Sequence, residues 1–212
     1  MGRNQSTGTF NYNNIQKKDK NFMYDNLKRS NCYNCDFDTC NFDFVSFRGA
    51  HFKKCSFYNS SFKGTEFVGA NLKGSKFKKS IFENTIFDSV NLDGVDFRDA
   101  EFTNVIFLES DLSKAINIDI NDPSIRVFDE VPEVVISEAL KSTVDSLNEN
   151  EYIKNARIFD TKDGSINLLT MMILLELFGE ERLIRGLNTI KEEIKRDFHT
   201  LSYVIRLIEK IK

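Results

Sequence analysis

The sequence predicts a β-solenoid followed by an α-helical domain. From Ser30 to Lys114, a large inward-type residue stands at every fifth position and a small residue stands two places before it, over 17 consecutive units. This period fits neither a strand, which alternates every two residues, nor a surface helix, which repeats about every 3.6 residues. Each unit must therefore turn a corner, so that the chain winds into stacked coils around one interior.

The large position and the turn position carry different residue types. Of the 20 phenylalanines in the chain, 13 occupy the large position. We therefore interpret the aromatic residues as core filling rather than as a ligand-stacking surface. Glycines follow the large residue by two places, where we expect a turn with positive φ. They are Gly49, Gly64, Gly69, Gly74 and Gly94.

These units resemble the pentapeptide-repeat family. The stretches 70–74 (Ala-Asn-Leu-Lys-Gly) and 90–94 (Val-Asn-Leu-Asp-Gly) follow its pattern of a small residue, Asn or Asp, Leu or Phe, and two further residues. The resemblance implies a right-handed, quadrilateral β-helix with four units in each coil. For this chain it therefore implies about four to five coils, stacked about 4.8 Å apart.

The chain divides into four segments by the quality of the repeat. Residues 1–24 form a polar N-terminal segment or cap, because Lys20 and Asp25 interrupt the small position. Residues 25–118 form the β-helix, and 119–131 form a linker. Residues 132–212 form the helical domain, with Pro132 in a first helical turn and a last helix that carries an apolar stripe from Leu187 to Ile208. Within that domain, Ser165 is a candidate N-cap for an apolar helix that ends at Gly179.

Composition limits the function classes. The chain has 212 residues and a net charge of −3, so direct nucleic-acid binding is not expected from the total charge. Its longest apolar stretch, 166–178, is too short and too polar to cross a bilayer. The N-terminal residues contain no apolar signal-peptide region, so we expect a cytoplasmic protein without a membrane partner.

Four cysteines offer three interpretations. Cys32 and Cys35 form a Cys-x-x-Cys pair, which is typical of zinc sites and of redox pairs. However, Cys32 holds a large position, while Cys35, Cys40 and Cys55 hold small ones, so we favour compact inward thiols. We predict no metal, cofactor or catalytic residue.

An apolar stripe interrupts the polar outside of the predicted coils. Its members stand at outward positions, mostly on one wall, because positions four units apart share a wall. They are Val68, Ile81, Ile86, Ile106 and Leu108. Exposed apolar residues in contact mark an interface, which includes a homodimer, unless the chain's own C-terminal helices cover them.

Charge is divided along the repeat. The basic belt comprises Arg48, Lys53, Lys54, Lys63, Lys73, Lys76, Lys78 and Lys79. The acidic patch comprises Glu83, Asp88, Asp93, Asp96, Asp99, Glu101, Glu109 and Asp111. Either the charges only solvate the outside of the solenoid, or they steer a partner.

Three functions follow as hypotheses. The first is a non-enzymatic protein-interaction module, in which the rigid β-helix binds a protein partner and the helical domain caps it or recruits a partner. The second rests on the resemblance: some family members mimic DNA, bind DNA gyrase and topoisomerase IV, and protect against quinolones, a role that the acidic patch would serve here. The third is an enzyme with a site in the helical domain near Asp160, Asp163 and Glu176, which have no geometric reason to converge.

Overall fold

The computed structural model describes residues 9–211 and confirms a β-solenoid with a C-terminal helical region. The chain divides into two compact units, which meet in sequence between Glu130 and Val131. The solenoid has about six turns, more than the four to five coils that the sequence predicts. The extra coils come from both ends, where the side-chain pattern is weak but the backbone ladder continues.

Short parallel strands on successive coils stack on one another. In chain order they are β1 (Asn11–Asn13), β2 (Asn31–Tyr33), β3 (His51–Lys53), β4 (Ser61–Lys63), β5 (Glu66–Val68), β6 (Ile81–Glu83), β7 (Ile86–Asp88), β8 (Glu101–Thr103), β9 (Val105–Leu108) and β10 (Ile125–Phe128). They form three parallel sheets, β1-β2-β3, β4-β6-β8 and β5-β7-β9-β10. Paired residues such as Phe62 and Phe82 hold the large positions of units four apart, which confirms four units per coil.

We number the walls by their large positions. The first wall contains residues 12, 32, 52, 72 and 92, and the second wall contains 17, 37, 57, 77 and 97. The third wall contains 22, 42, 62, 82 and 102, and the fourth wall contains 27, 47, 67, 87 and 107. The second wall has no regular strand in the part of the chain that the structure describes; isolated bridges such as Ser56 to Lys76 connect its coils.

Stacked phenylalanine rings form most of the core. On the fourth wall, the rings of Phe47, Phe67 and Phe87 follow one another with centroid distances of 4.7 and 4.8 Å. The second and third walls carry similar columns, and Phe57 and Phe77 lie 4.8 Å apart. Rings within a column contact the ring of the coil above and the ring of the coil below, so the core adds to the backbone ladder in holding the coils together.

The corners confirm the turn prediction. All five glycines of the turn position have positive φ, between 58° and 69°. Non-glycine residues at the same position adopt the same conformation, for example Phe44 (φ 59°), Lys54 (φ 54°) and Lys79 (φ 58°). The solenoid therefore imposes a left-handed backbone at its corners even where the side chain disfavours it.

The ladder begins earlier and ends later than the sequence predicts. Tyr12 pairs with Cys32, within the segment that the sequence assigns to a polar cap, whose residues 1–8 lie outside the described part. The backbone of Lys20 also accepts a ladder hydrogen bond from Asn41, which requires no particular side chain. At the other end, β10 pairs with β9 where the sequence predicts a linker, since Ile125 returns to the wall of Val105 one coil later.

The C-terminal unit contains five α-helices and one short 3₁₀ helix in its described residues. They are α1 (Glu138–Ser146), the 3₁₀ helix (Leu147–Glu149), α2 (Glu151–Ala156), α3 (Leu168–Phe178), α4 (Glu180–Glu193) and α5 (Leu201–Glu209). Asn167 caps α3, not Ser165, because its side chain accepts a hydrogen bond from the backbone of Thr170. The predicted last helix is two helices, and α1 begins six residues after Pro132.

Candidate interaction surface

The apolar stripe is only partly accessible. Ile106 and Leu108 are each 3% exposed, whereas Ile81 is 38% exposed and Val68 and Ile86 are half-buried. The interpretation of the stripe as an exposed interface is thus wrong for Ile106 and Leu108, which are covered. One reason is the unpredicted strand β10, which places Arg126 beside Ile106 and Phe128 beside Leu108.

The stripe is also interrupted. Ile86 and Ile106 are direct neighbours on β7 and β9. Asp88 lies between Val68 and Leu108, since β7 pairs with β5 on one side and with β9 on the other. Asp88 is half-buried there, and this burial raises the pKa of its carboxyl group.

The acidic patch is distributed around the solenoid. By their position in the four-unit register, two of its eight members lie on each of the four walls. Several already have partners: Glu83 pairs with Lys63 at 3.0 Å, and Asp93 pairs with Lys73 at 3.3 Å. The structure therefore brings these residues to the same end of the solenoid but not to one face.

The basic belt is more concentrated. Six of its eight members lie on the first and second walls, which are consecutive: Lys53, Lys54, Lys73, Lys76, Lys78 and Lys79. Lys63 lies on the third wall and Arg48 on the fourth. The ammonium group of Lys54 stands over the ring of Tyr33, 5.4 Å from its centroid.

The cysteines belong to the core. All four are free and buried, and burial raises the pKa of Cys55 to about 12 and that of Cys40 to about 11. Each small-position thiol donates a weak hydrogen bond to a carbonyl of the preceding coil, as Cys40 does to Lys17 at 3.0 Å. Ser75 makes the same contact to Phe52 at 2.7 Å, so these cysteines replace serines of the ladder.

Residues 9–211 contain no candidate metal site, and two of the three acids named for the helical domain have local partners. No group of three or more His, Cys, Asp or Glu residues could hold a metal ion there. Asp160 pairs with Arg157 at 3.1 Å, and Asp163 accepts hydrogen bonds from Thr161 and Ser165. These bonds lower the pKa of Asp163 to about 2, which is typical of a carboxylate that holds a turn.

No helix within the described residues is long and apolar enough to cross a membrane. α3, which covers most of residues 166–178, has only 11 residues.

Comparison with known proteins identifies the repeat. A family model described as pentapeptide repeats matches residues 40–78, 65–104 and 80–116, with eight copies. No curated protein sequence matches the chain.

Solved structures of pentapeptide repeat proteins are similar to this chain at low identity. HetL, a pentapeptide repeat protein involved in heterocyst differentiation regulation in the cyanobacterium Nostoc sp., is 16% identical over 51% of this chain and 48% of its own, with a TM-score of 0.29. The chain thus spans about half the length of HetL. A thylakoid-lumen pentapeptide repeat protein of Arabidopsis thaliana is 19% identical over 63% and 75%, with a TM-score of 0.30.

A third structure comes from a resistance protein. QnrB1, a plasmid-mediated fluoroquinolone resistance protein, is 16% identical over 50% of this chain and 73% of its own, with a TM-score of 0.29. At these identities and TM-scores, none of the three structures carries a function over to this chain.

Proposed function

The repeat region of this chain belongs to the pentapeptide repeat family, and from that premise we propose that the protein is a non-enzymatic interaction module whose solenoid binds a protein partner. One observation carries the proposal. The ladder places outward side chains in columns about 4.8 Å apart along each wall, and the stacked rings hold the coils in place. A surface of this kind is pre-organised, so a partner loses little free energy in ordering it.

A site-specific cross-linking experiment tests the proposal. A photoreactive phenylalanine analogue replaces Tyr58 on the second wall or Ile81 on the third, which are 39% and 38% exposed. The full chain is illuminated in native cell extract with and without excess unlabelled protein. We expect an adduct from one solenoid wall that the unlabelled protein suppresses.

The matched control carries the same analogue at Lys141, an exposed residue of α1. Adducts at Lys141 alone would indicate that the helical unit, not the solenoid, binds the partner. No suppressible adduct at any of the three positions would overturn the proposal.

A homodimer through the stripe is not the form that we favour. A stable dimer buries about 800 Å² on each partner. Only Val68, Ile81 and Ile86 retain accessible surface in the stripe, and they are too few for such an area. We therefore propose a different protein as the partner.

The DNA-mimic hypothesis lacks a supporting observation. A mimic of duplex DNA needs acids along a continuous face, whereas two members of the acidic patch lie on each wall. A gyrase supercoiling assay with ciprofloxacin tests it directly, and we expect neither inhibition of gyrase nor protection from the drug.

The four thiols favour a reducing compartment, which supports the cytoplasmic location as part of the proposal.

A further inference from the structure

Charged side chains on this solenoid follow a stacking rule. Because the coils repeat every four units, a charged residue lies beside the residue at the same position of the next coil. Lys18 meets Asp38 at 3.5 Å, Lys63 meets Glu83 at 3.0 Å and Lys73 meets Asp93 at 3.3 Å. Opposite charges in neighbouring strand positions stabilise a sheet, and like charges destabilise it.

Like charges break this rule in several columns, for example where Lys28 lies beside Arg48 on the fourth wall, and two of these columns lie on the first and second walls. The bridge between His51 and Asn71 places Lys53 beside Lys73, and the backbone of Lys54 donates to the Lys73 carbonyl at 3.0 Å. On the second wall, the bridge between Lys76 and Asp96 places Lys78 beside Arg98 in the same way. The fold thus holds cations next to one another at two adjacent places.

Most of these lysines have no carboxylate within ion-pair distance. Among residues 9–211, Lys53, Lys76, Lys78 and Lys79 form no ion pair. Lys73, Lys76 and Lys79 are exposed, and Lys53 and Lys78 are half-buried. Lys53 and Lys78 also have no acid directly beside them in their columns, so their charge is available to an anion from outside the chain. Lys76 and Lys79, by contrast, lie beside Asp96 and Asp99 of the next coil.

The corner between the first and second walls has no side chain on two consecutive coils. Gly74 and Gly94 occupy this turn position, and a Cβ atom added to Gly94 would lie 3.9 Å from the Cα atom of Gly74. The Lys54 side chain covers part of this corner, because a Cβ atom added to Gly74 would meet its Cγ atom at 3.4 Å, whereas the backbone at Gly94 is exposed. We name this surface the lysine corner: Lys53, Lys54, Lys73, Lys76, Lys78 and Lys79.

Acids limit the lysine corner along the solenoid axis. Asp36 and Asp38 lie on the second wall two coils before Lys76 and Lys78. Asp93, Asp96 and Asp99 lie on the coil after the lysines. The basic surface is therefore about two coils high, or about 10 Å. A nucleic-acid backbone that extends further along the axis would meet these carboxylates.

From this arrangement we propose that the lysine corner binds a short acidic segment of a protein partner. This inference rests on the proposed interaction role and names the chemistry of the partner. Carboxylates from such a segment would separate Lys53 from Lys73 and Lys78 from Arg98, which relieves the two like-charge contacts.

A binding assay with defined probes tests the proposal. Fluorescein-labelled octaglutamate is titrated with the full-length protein at low salt, and anisotropy is followed. The variant Lys53→Gln, Lys76→Gln, Lys78→Gln is compared with the control Lys141→Gln, Lys162→Gln, Lys195→Gln, which removes the same charge from the helical unit. We expect a loss of affinity of about tenfold in the first variant and less than about twofold in the control. Melting by circular dichroism should show that the first variant folds at least as stably as the natural chain.

Three results would overturn the proposal. Octaglutamate could fail to bind, the two variants could weaken its binding equally, or oligothymidylate of the same charge could bind more tightly with the same variant dependence. The last result would identify the surface as a nucleic-acid site. If the lysine variant instead leaves a cross-linked partner from the preceding experiment unchanged, the acidic-segment inference fails while the interaction role stands.

Discussion

Replacement of Phe77 by alanine should remove a ring that is enclosed on both sides in the solenoid core. The side chain is fully buried, stacks on Phe57 at 4.8 Å and on Phe97 at 5.6 Å, and meets Phe82 at 5.5 Å. Truncation of a buried phenylalanine costs about 3–5 kcal/mol, and each lost aromatic pair adds to the cost of the lost buried area. We expect about 4–5 kcal/mol, because the coils on both sides are held by their own rings and cannot collapse into the cavity.

Urea unfolding followed by circular dichroism measures this change. Hydrogen exchange of peptides from residues 70–90 assigns it to the solenoid rather than to the helical unit. The matched control is Phe102→Ala: its ring is half-buried and stacks on one neighbour in its column, Phe82, at 5.4 Å. A cost below about 2 kcal/mol for Phe77→Ala, or equal costs for both variants, would refute the argument from two-sided stacking.

Three further predictions concern the corners, the thiols and the stripe. Gly69 has φ of 58° with no atom within 4 Å of an added Cβ, so Gly69→Val should cost about 1–2 kcal/mol from backbone strain alone. Gly69→Asn should cost clearly less in the same urea titration, and equal costs would contradict this cause. All four cysteines should react with Ellman's reagent only on unfolding, and EDTA should leave the melting temperature unchanged; rapid labelling of the native protein would contradict their burial. Light scattering should give the monomer mass of 24.5 kDa. A dimer that Ile81→Asp with Ile86→Asp dissociates would instead establish the stripe as its interface.

The repeat could be predicted from the sequence because a period in the side chains reflects the period of the fold. Every five-residue unit from Ser30 to Lys114 presents the same two positions inward, so the interior and the corners follow from counting. For the same reason, the sequence correctly predicts that the four cysteines lie in the interior. The register does not predict the hydrogen bonds that these thiols donate to backbone carbonyls. Through those bonds, Cys40 and Cys55 take the place of serine in the ladder.

The ends could not be predicted because there the backbone, not the side chains, carries the repeat. Phe10 stands at a small position of the first coil and packs against Tyr12 and Phe22, with ring centroids 5.3 Å away in both cases. Lys20 and Asp25 are also tolerated at small positions in this terminal coil. Near the other end, Asn117 and Asp122 replace large residues, yet Ile125 resumes the ladder. A prediction from the side-chain pattern therefore gives too few coils, because it misses the coils at the two ends.

The stacking rule makes a prediction that separates local electrostatics from net charge. Lys78→Glu and Lys79→Glu change the charge of the chain equally, at neighbouring positions of one coil. By the register, Lys78 lies beside Arg98, whereas Lys79 lies beside Asp99. Lys78→Glu should therefore raise the free energy of unfolding by about 0.2–1 kcal/mol, and Lys79→Glu should lower it by a similar amount.

Urea unfolding of the two variants in parallel, at low and at high salt, measures these changes. The difference between the variants should shrink as salt screens the exposed charges. Changes of the same sign would mean that net charge, not the column, determines stability, and the argument from like-charge contacts at the lysine corner would fail with it. If the free energy of unfolding changes in opposite directions in the two variants, Lys78 makes the natural chain less stable than it could be. This is expected of a residue whose charge serves binding rather than folding.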